Sequence, residues 1–300
     1  MKLSICAAFA LSLVFAASPQ AQDLGPNIHK IKDGIYVQHG REVNSSVGII
    51  LTNEGVVLID SGQSLMDTRE AEAAVKKLTP LPVKYLLDTE VHPDHTTGHF
   101  VFSPPAIVIN HQGAGDAMRK AEAPNRAQTL AAQSPDMAKA SEGYRLVVPH
   151  IEYQQHMTLH VGERTFELFY LKNAHSEADT AIWLPAERVL FSASVALPKS
   201  LNNVRPFVTV PDILAATKML KSLNPEVVIP GHGSPGTTAI FDESDRYYNL
   251  LVERVGAMVK QGKSKDEITK ELKMPEYTDW AYPERWPTNV DVAYRAVTAR

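Results

Sequence analysis

A mostly apolar run, Leu3 to Phe15, interrupted by Ser4 and Ser12, follows the single positive charge of Lys2, and beyond it polar punctuation cuts the chain into short apolar segments. Ile28 to Val37, Ser46 to Leu51 and Val56 to Asp60 are rich in β-branched residues and are broken by Asp33-Gly34 and Asn53-Glu54-Gly55. Apolar runs between turn-forming residues predict a meander of antiparallel strands. From Leu65 to Leu78 the period changes. Leu65, Ala71, Ala74, Val75 and Leu78 share a face, charges lie between them, and Pro80 and Pro82 follow, which predicts an amphipathic helix. Val83 to Leu87 and Ala106 to Asn110 return to strand character.

Gly113 to Gly143 is rich in Ala, Lys, Glu and Gln and is interrupted by Pro124 and Pro135. It predicts two helical pieces without strong apolar stripes. Two readings stand: a solvated excursion, or a lid over a site, since long insertions in compact domains often cover one. A second group of strands is predicted at Met157 to His160, Thr165 to Leu171, Thr180 to Leu184 and Arg188 to Ser192. A helix from Asp212 to Leu223 leads to the strand Val227 to Ile229, and helices follow over Asp242 to Gln261, ended by Gly262, and over Lys265 to Leu272, opened by Ser264. The tail 275–300, with Trp280, Tyr282, Trp286 and Tyr294, is aromatic enough to pack on the body.

The leading apolar run is shorter than the roughly 20 residues that span a bilayer, and it ends in the small residues Ala16-Ala17-Ser18 and Ala21. Residues 1–21 therefore read as a secretory signal peptide, with a periplasmic or secreted mature protein and no lasting membrane anchor. Cys6, the one cysteine, lies inside that run. The mature chain then has neither a disulfide nor a thiolate ligand, and any metal must be held by His, Asp or Glu. Residues 22–300 suffice for a single large domain, with 44% apolar residues over the whole chain. Net charge is −4, becoming −5 when Lys2 is lost, and a nucleic-acid surface is not indicated.

Within this frame the polar residues collect at strand ends. Directly after Val83 to Leu87 comes Asp88-Thr89-Glu90-Val91-His92-Pro93-Asp94-His95-Thr96-Thr97-Gly98-His99. Glu90 and His92, two apart on an extended chain, point the same way, and Pro93 turns the backbone to re-aim Asp94 and His95. Imidazole and carboxylate at this density form a ligand set for zinc or a related divalent metal. A second cluster, Asn173 to Asp179 with His175, lies between predicted strands, and Val227-Val228-Ile229 delivers Pro230-Gly231-His232-Gly233. His99, His111, His150, His156 and His160 read as surface or strand histidines.

Taken in order, Asp60-Ser61-Gly62, His92-Pro93-Asp94-His95, His175, Val189-Leu190-Phe191 and Pro-Gly-His232-Gly resemble the metallo-β-lactamase superfamily over nearly the whole mature chain. The resemblance implies an α/β fold, a four-layer αββα sandwich with metal at the edge between two sheets. The meander at the start argues against a doubly wound parallel sheet. It further implies one metal site of Glu90, His92 and His175 and another of Asp94, His95 and His232. Two positions depart from the common pattern: Glu90 replaces the first His of the His-x-His-x-Asp-His motif, and Ser194 stands where a bridging Asp or a Cys is usual. The carboxylate count, Glu90 and Asp94, is then the same as in the usual pair, so two divalent cations with one hydroxide would again leave a net charge of about +1.

The implied chemistry is a hydrolysis in which metal-activated water opens an amide, lactone or ester carbonyl, β-lactams included. Asp94 and His232 are the candidate catalytic residues, and Zn2+, one or two per chain, the expected cofactor, with iron or manganese as alternatives. Asp60 and Asp179 are candidates for orienting ligand histidines. Ser194, Lys199, Asn202, Asn203 and Arg205 are candidates for supporting the site or holding a substrate carboxylate. The partner expected is a small-molecule substrate. Competing readings are a mononuclear-iron redox enzyme and a non-catalytic binding member of an exported oxidation or cofactor system.

Overall fold

Alternation along the strands sorts the side chains into layers. The computed structural model describes residues 23–39 and 45–299, so the leader segment lies outside the described residues. Strands β1 (Ile28–Lys32), β2 (Ile35–His39), β3 (Ser46–Thr52) and β4 (Gly55–Ile59) form the antiparallel meander. Then β5 (Val83–Leu87), β6 (Ile107–His111) and β7 (Ile151–Tyr153) add in parallel, completing a seven-stranded sheet in sequential order. Strands β8 (His156–Val161), β9 (Arg164–Tyr170), β10 (Thr180–Leu184), β11 (Val189–Phe191) and β12 (Val227–Ile229) form a second sheet in the reverse order, antiparallel except between β11 and β12.

The inner faces of the two sheets meet in one core. Ile35, Val37, Ile50, Val57, Ile59, Leu87 and Ile109 pack against Phe166, Leu168, Ile182, Leu184, Val189, Phe191 and Ile229. The next residues along the same strands turn outward. Val47, Ile49, Val56 and Leu58 cover Ala71, Ala74 and Val75 of helix α1 (Leu65–Leu78). Short helices α2 (Pro93–Thr96), α3 (His99–Phe102), α4 (Ala114–Ala121), α5 (Arg126–Ala131) and α6 (Pro135–Ala140) come between β5 and β7. On the other sheet, Trp183, Leu190 and Val228 pack on Ala216 and Leu220 of α7 (Val210–Ser222) and on Ile240 and Phe241 of α8 (Ala239–Lys260). Helix on sheet on sheet on helix is the four-layer αββα sandwich. The chain ends with α9 (Lys265–Glu271) and α10 (Trp286–Thr298), which pack through Ile268, Val290 and Val292 on Tyr247 and Leu251 of α8.

α1 has the predicted bounds because Ser64 and Asp67 close a capping box at its start, worth about 1 kcal/mol. The segment 113–143 holds three helices, α4, α5 and α6, where two were predicted. Ser134 caps α6 with Pro135 at its first position, so that proline opens a helix of its own. β7 was not predicted: its pattern is two exposed residues and one buried, too short to show a period.

Candidate metal centre

Every site residue follows a strand. Asp60 leaves β4, Asp88 to His95 leave β5, His175 lies between β9 and β10, Ser194 follows β11, and His232 follows β12. A backbone bond from Ser46 to the Gly231 carbonyl at 2.9 Å ties the edges of the two sheets together there. Gly231 permits a close approach, since a Cβ on it would lie 2.4 Å from Ser194 Oγ. The result is two triads, Glu90 with His92 and His175, and Asp94 with His95 and His232, each with one ligand atom per residue inside 4.8 Å of the others.

In the first triad, Glu90 Oε2 meets His92 Nδ1 in a very short contact and lies 3.5 Å from His175 Nε2. In the second, His232 Nε2 lies 3.2 Å from Asp94 Oδ2 and 3.3 Å from His95 Nε2. Glu90 also reaches His95 Nε2 at 3.2 Å, so it stands between the triads. Burial favours the neutral acid of Glu90, yet the His95, His175 and His92 rings hold its pKa well below the ordinary value. Burial likewise opposes charge on His95, but Glu90, Asp60 and Asp94 together raise it. His175 lacks that support: burial, with only partial compensation from Glu90, lowers it to about 3.

These residues fit a metal. Asp60 Oδ2 faces His95 Nδ1 at 2.9 Å, and a proton on Nδ1 toward that carboxylate leaves the lone pair on Nε2, which is aimed at His232 Nε2. Two ring nitrogens nose to nose are poor company for each other and good company for a cation between them. His175 Nδ1, moreover, is buried without a hydrogen-bond partner. Four imidazoles and two carboxylates make a nitrogen and oxygen donor set suited to borderline divalent ions.

Asp60 sits where a ligand-orienting carboxylate was anticipated, and it is itself fixed by Thr89, through the backbone N–H at 2.7 Å and the hydroxyl at 2.6 Å. Asp179 acts differently from the expectation. It accepts from the backbone N–H groups of His175 and Ser176 and not from a ring, so it shapes the loop that carries His175. Burial and the Glu90 charge push its pKa up to about 7. Ser194 Oγ donates to Glu90 Oε1 at 2.5 Å. Lys199 is exposed, 4.0 Å from Asp279, and Asn203 spends its N–H on Asn202 Oδ1 at 2.8 Å. Asn202 is buried and donates to the Ser194 carbonyl at 2.7 Å.

His99 departs from the surface or strand reading: it opens α3, 1% exposed, with Nε2 2.8 Å from Asp88 Oδ1 and Nδ1 2.9 Å from the Val147 carbonyl. A carbonyl only accepts, so Nδ1 donates and one proton lies between Nε2 and Asp88. Asn110 bridges Asp88 to the Glu90 carbonyl at 3.2 and 3.3 Å, which fixes the backbone of the ligand. This network was missed although Asp88 and His99 bracket the polar stretch, because their partners Asn110 and Val147 are remote in sequence.

The metallo-beta-lactamase superfamily model matches residues 40–232, from just before β3 to the last histidine of the second triad. The chain belongs to the metallo-β-lactamase superfamily. It is 23% identical over 239 residues to a metallo-beta-lactamase type 2 of Bacteroides fragilis, covering 76% of this chain and 87% of that protein. With a linear primary-alkylsulfatase of a Pseudomonas species it shares 20% identity over 263 residues, 75% of this chain and 49% of the other. Among solved structures, a metallo-beta-lactamase from Pontibacter korlensis superposes with a TM-score of 0.60 at 19% identity, over 73% of this chain and 96% of that one. A stereoselective inverting sec-alkylsulfatase from a Pseudomonas species gives 0.70 at 17% identity, over 91% of this chain and 50% of that one. This superfamily member is a metal-dependent hydrolase. The superfamily match stops at residue 232, so α8, α9 and α10 lie beyond it.

Proposed function

We propose that the protein is an exported, zinc-dependent hydrolase that opens a carbonyl of a small amide, lactone or ester, β-lactams among them. The observation that carries this reading is the pair of triads facing each other across Glu90 and His95. Glu90, His92 and His175 would hold one cation and Asp94, His95 and His232 the other. When bound, such cations supply Lewis acidity and lower the pKa of a water to near 7. Solvent access divides the work between the two carboxylates. Glu90 is fully buried and serves as a ligand, whereas the Asp94 side chain is 26% exposed and can orient an incoming water and accept its proton. His232, 16% exposed and 3.2 Å from Asp94, holds that carboxylate in place.

Zinc is proposed because imidazole nitrogens outnumber carboxylates in the donor set. Elemental analysis of protein prepared in metal-free buffer reads out its identity and stoichiometry, and a panel of nitrocefin, lactones and aryl esters reads out the reaction. Loss of metal without loss of turnover would overturn the proposal. Cleavage of a sulfate ester is a second reading, supported by the alkylsulfatase that superposes over 91% of this chain, and an alkyl sulfate belongs in the same panel. Export is tested by N-terminal sequencing of periplasmic protein, with a start between Ala17 and Asp23 expected and an intact Met1 on membranes opposing it.

A further inference from the structure

We propose that strand β8 is a self-complementary edge through which two copies of this chain pair, joining their five-stranded sheets into one. β8 is the outer strand of its sheet. The Gln155 carbonyl accepts from the Tyr170 N–H at 3.0 Å, so the register makes Met157 with Leu168, Leu159 with Phe166 and Val161 with Arg164 the pairs that exchange backbone bonds with β9. The residues between them, His156, Thr158 and His160, are exposed and turn their N–H and C=O groups away from β9. Among the described residues, none of those groups has a hydrogen-bond partner. Unpaired edges invite other chains, and folded proteins blunt them with short length, charge, proline, bulges or cover. The other sheet edges here are blunted. β1 carries Lys30 and Lys32 with a bulge between them. β7 has three residues, and its Glu152 Oε1 accepts from the Gly115 N–H of α4 at 3.2 Å. β12 also has three, and Gly236 bonds Val228 in both directions at 2.9 and 2.8 Å. β8 has six residues in unbroken register, with no Lys, Arg, Asp, Glu or Pro among them.

The occupant follows from the pattern of β8 itself. A two-fold axis at Thr158 lays the strand antiparallel on its copy, with Thr158 opposite the partner's Thr158, His156 opposite the partner's His160, and Met157 opposite the partner's Leu159. Every outward-facing residue then meets another outward-facing one, so the free donors and acceptors are satisfied reciprocally, as an isologous contact requires. Moving the axis to Met157 leaves His160 without an outward-facing counterpart, and moving it to Leu159 leaves His156 without one. On one face of the strand, Met157 and Leu159 are half-buried against the core between the sheets, and the pairing covers what they leave exposed. On the other face, the His156 ring stacks on Phe169 at 4.6 Å and His160 Nδ1 lies 3.1 Å from Thr165 Oγ1. Those contacts hold both rings along their own sheet, which leaves the backbone edge open to the partner.

Sedimentation velocity on the metal-loaded protein should show a dimer at concentrations up to about 100 μM, where a micromolar Kd populates it. Thr158→Lys sets like charges directly opposite each other on the axis. It should raise the dimer Kd by at least about tenfold, with metal content and circular dichroism unchanged, because Thr158 is exposed and belongs to neither metal triad. Disulfides read the register. The chain holds one cysteine, Cys6, and with it replaced by serine Thr158→Cys should cross-link to itself under mild oxidation. Residues opposed in a hydrogen-bonded antiparallel pair lie about 5.5 Å apart between Cα atoms, a span that a disulfide bridges. His160→Cys faces position 156 of the partner and should cross-link far more slowly. A monomeric wild type would leave the edge to a strand of some other chain and overturn the pairing. So would a dimer that Thr158→Lys leaves intact, or cross-linking of His160→Cys as fast as that of Thr158→Cys.

Discussion

Ser194 Oγ and Glu90 Oε1 lie 2.5 Å apart across 104 residues of sequence, one at the end of β11 and the other at the end of β5. Both side chains are fully buried. The serine is therefore the hydrogen-bond donor that fixes one oxygen of the carboxylate while the other faces His92 and His175. Removing it by Ser194→Ala leaves that oxygen without its donor. Hydrogen bonds to charged groups are worth about 1.5–3 kcal/mol, and loss of ligand support costs about tenfold to a hundredfold in metal affinity. Chelator competition on Ser194→Ala should show one of two ions weakened by that factor. Unchanged affinity for both would remove Ser194 from the support of the centre.

Gly98 locks the polar stretch onto α1. A Cβ there would lie 2.4 Å from Thr68 Oγ1 and 2.6 Å from the Ser61 carbonyl. Ser61 cannot yield, because its N–H and hydroxyl both donate to the His95 carbonyl, at 2.7 and 2.8 Å, and its own carbonyl takes the Thr68 hydroxyl. Gly98→Ala should therefore destabilise the protein by about 1–3 kcal/mol, as overpacking does, and lower the Tm by several degrees. Thermal unfolding of the metal-saturated variant checks this, and a melting curve that overlays the wild type refutes it.

What was legible in the sequence and what was not divides along contact range. α1 and the strand β5 have the bounds read from their patterns, since a capping serine, a helical period and flanking prolines are local. All six proposed ligands are drawn together by the fold, because each stands in a polar cluster that interrupts an apolar run. The pairing of His99 with Asp88 and Val147, the turn of Asp179 toward backbone instead of a ring, and the arrival of Arg285 beside the loop of Arg205 depend on tertiary contacts. No period or spacing encodes those. Lys199, Asn202, Asn203 and Arg205 all read as candidate substrate contacts from their nearness to Ser194 in sequence; the fold turns Asn202 toward the Ser194 carbonyl and Arg205 toward His92, while Lys199 is exposed near Asp279 and the Asn203 N–H bonds Asn202.

The segment 113–143 touches the polar stretch. Met118 and Ala114 pack on Val91, Leu130 and Met137 share a cluster with Leu65 and Phe100, and Arg126 donates to Thr97 Oγ1 at 3.1 Å. Its connection between α4 and α5, Ala123 to Asn125, is exposed and ends at Arg126. Trypsin at low ratio should cut first after Arg126, where few apolar contacts oppose local opening. If the cleaved protein turns over every substrate at the original rate, the segment is a solvated excursion and not a lid.

The charge balance between positions 90 and 194 yields the sharpest test of the proposed centre. Glu90→Gln keeps shape and removes charge, so metal content should fall from about two toward one per chain, with activity lower by about tenfold to a hundredfold. Ser194→Asp alone would place a second carboxylate within hydrogen-bonding reach of Glu90 in a fully buried setting, where like charges disfavour each other and one must take up a proton. That variant should be less stable than wild type in the metal-free state. Glu90→His alone leaves Asp94 as the one carboxylate ligand, and its metal should bind more weakly. Combining Glu90→His with Ser194→Asp restores two carboxylates while separating them, so the double variant should bind more metal than either single change predicts. A coupling energy of about 0.5–3 kcal/mol is the usual size for residues in contact, and elemental analysis with chelator titration measures it. If wild type and Glu90→Gln hold the same number of ions with the same affinity, Glu90 is not a ligand, and the centre rests on Asp94, His95 and His232.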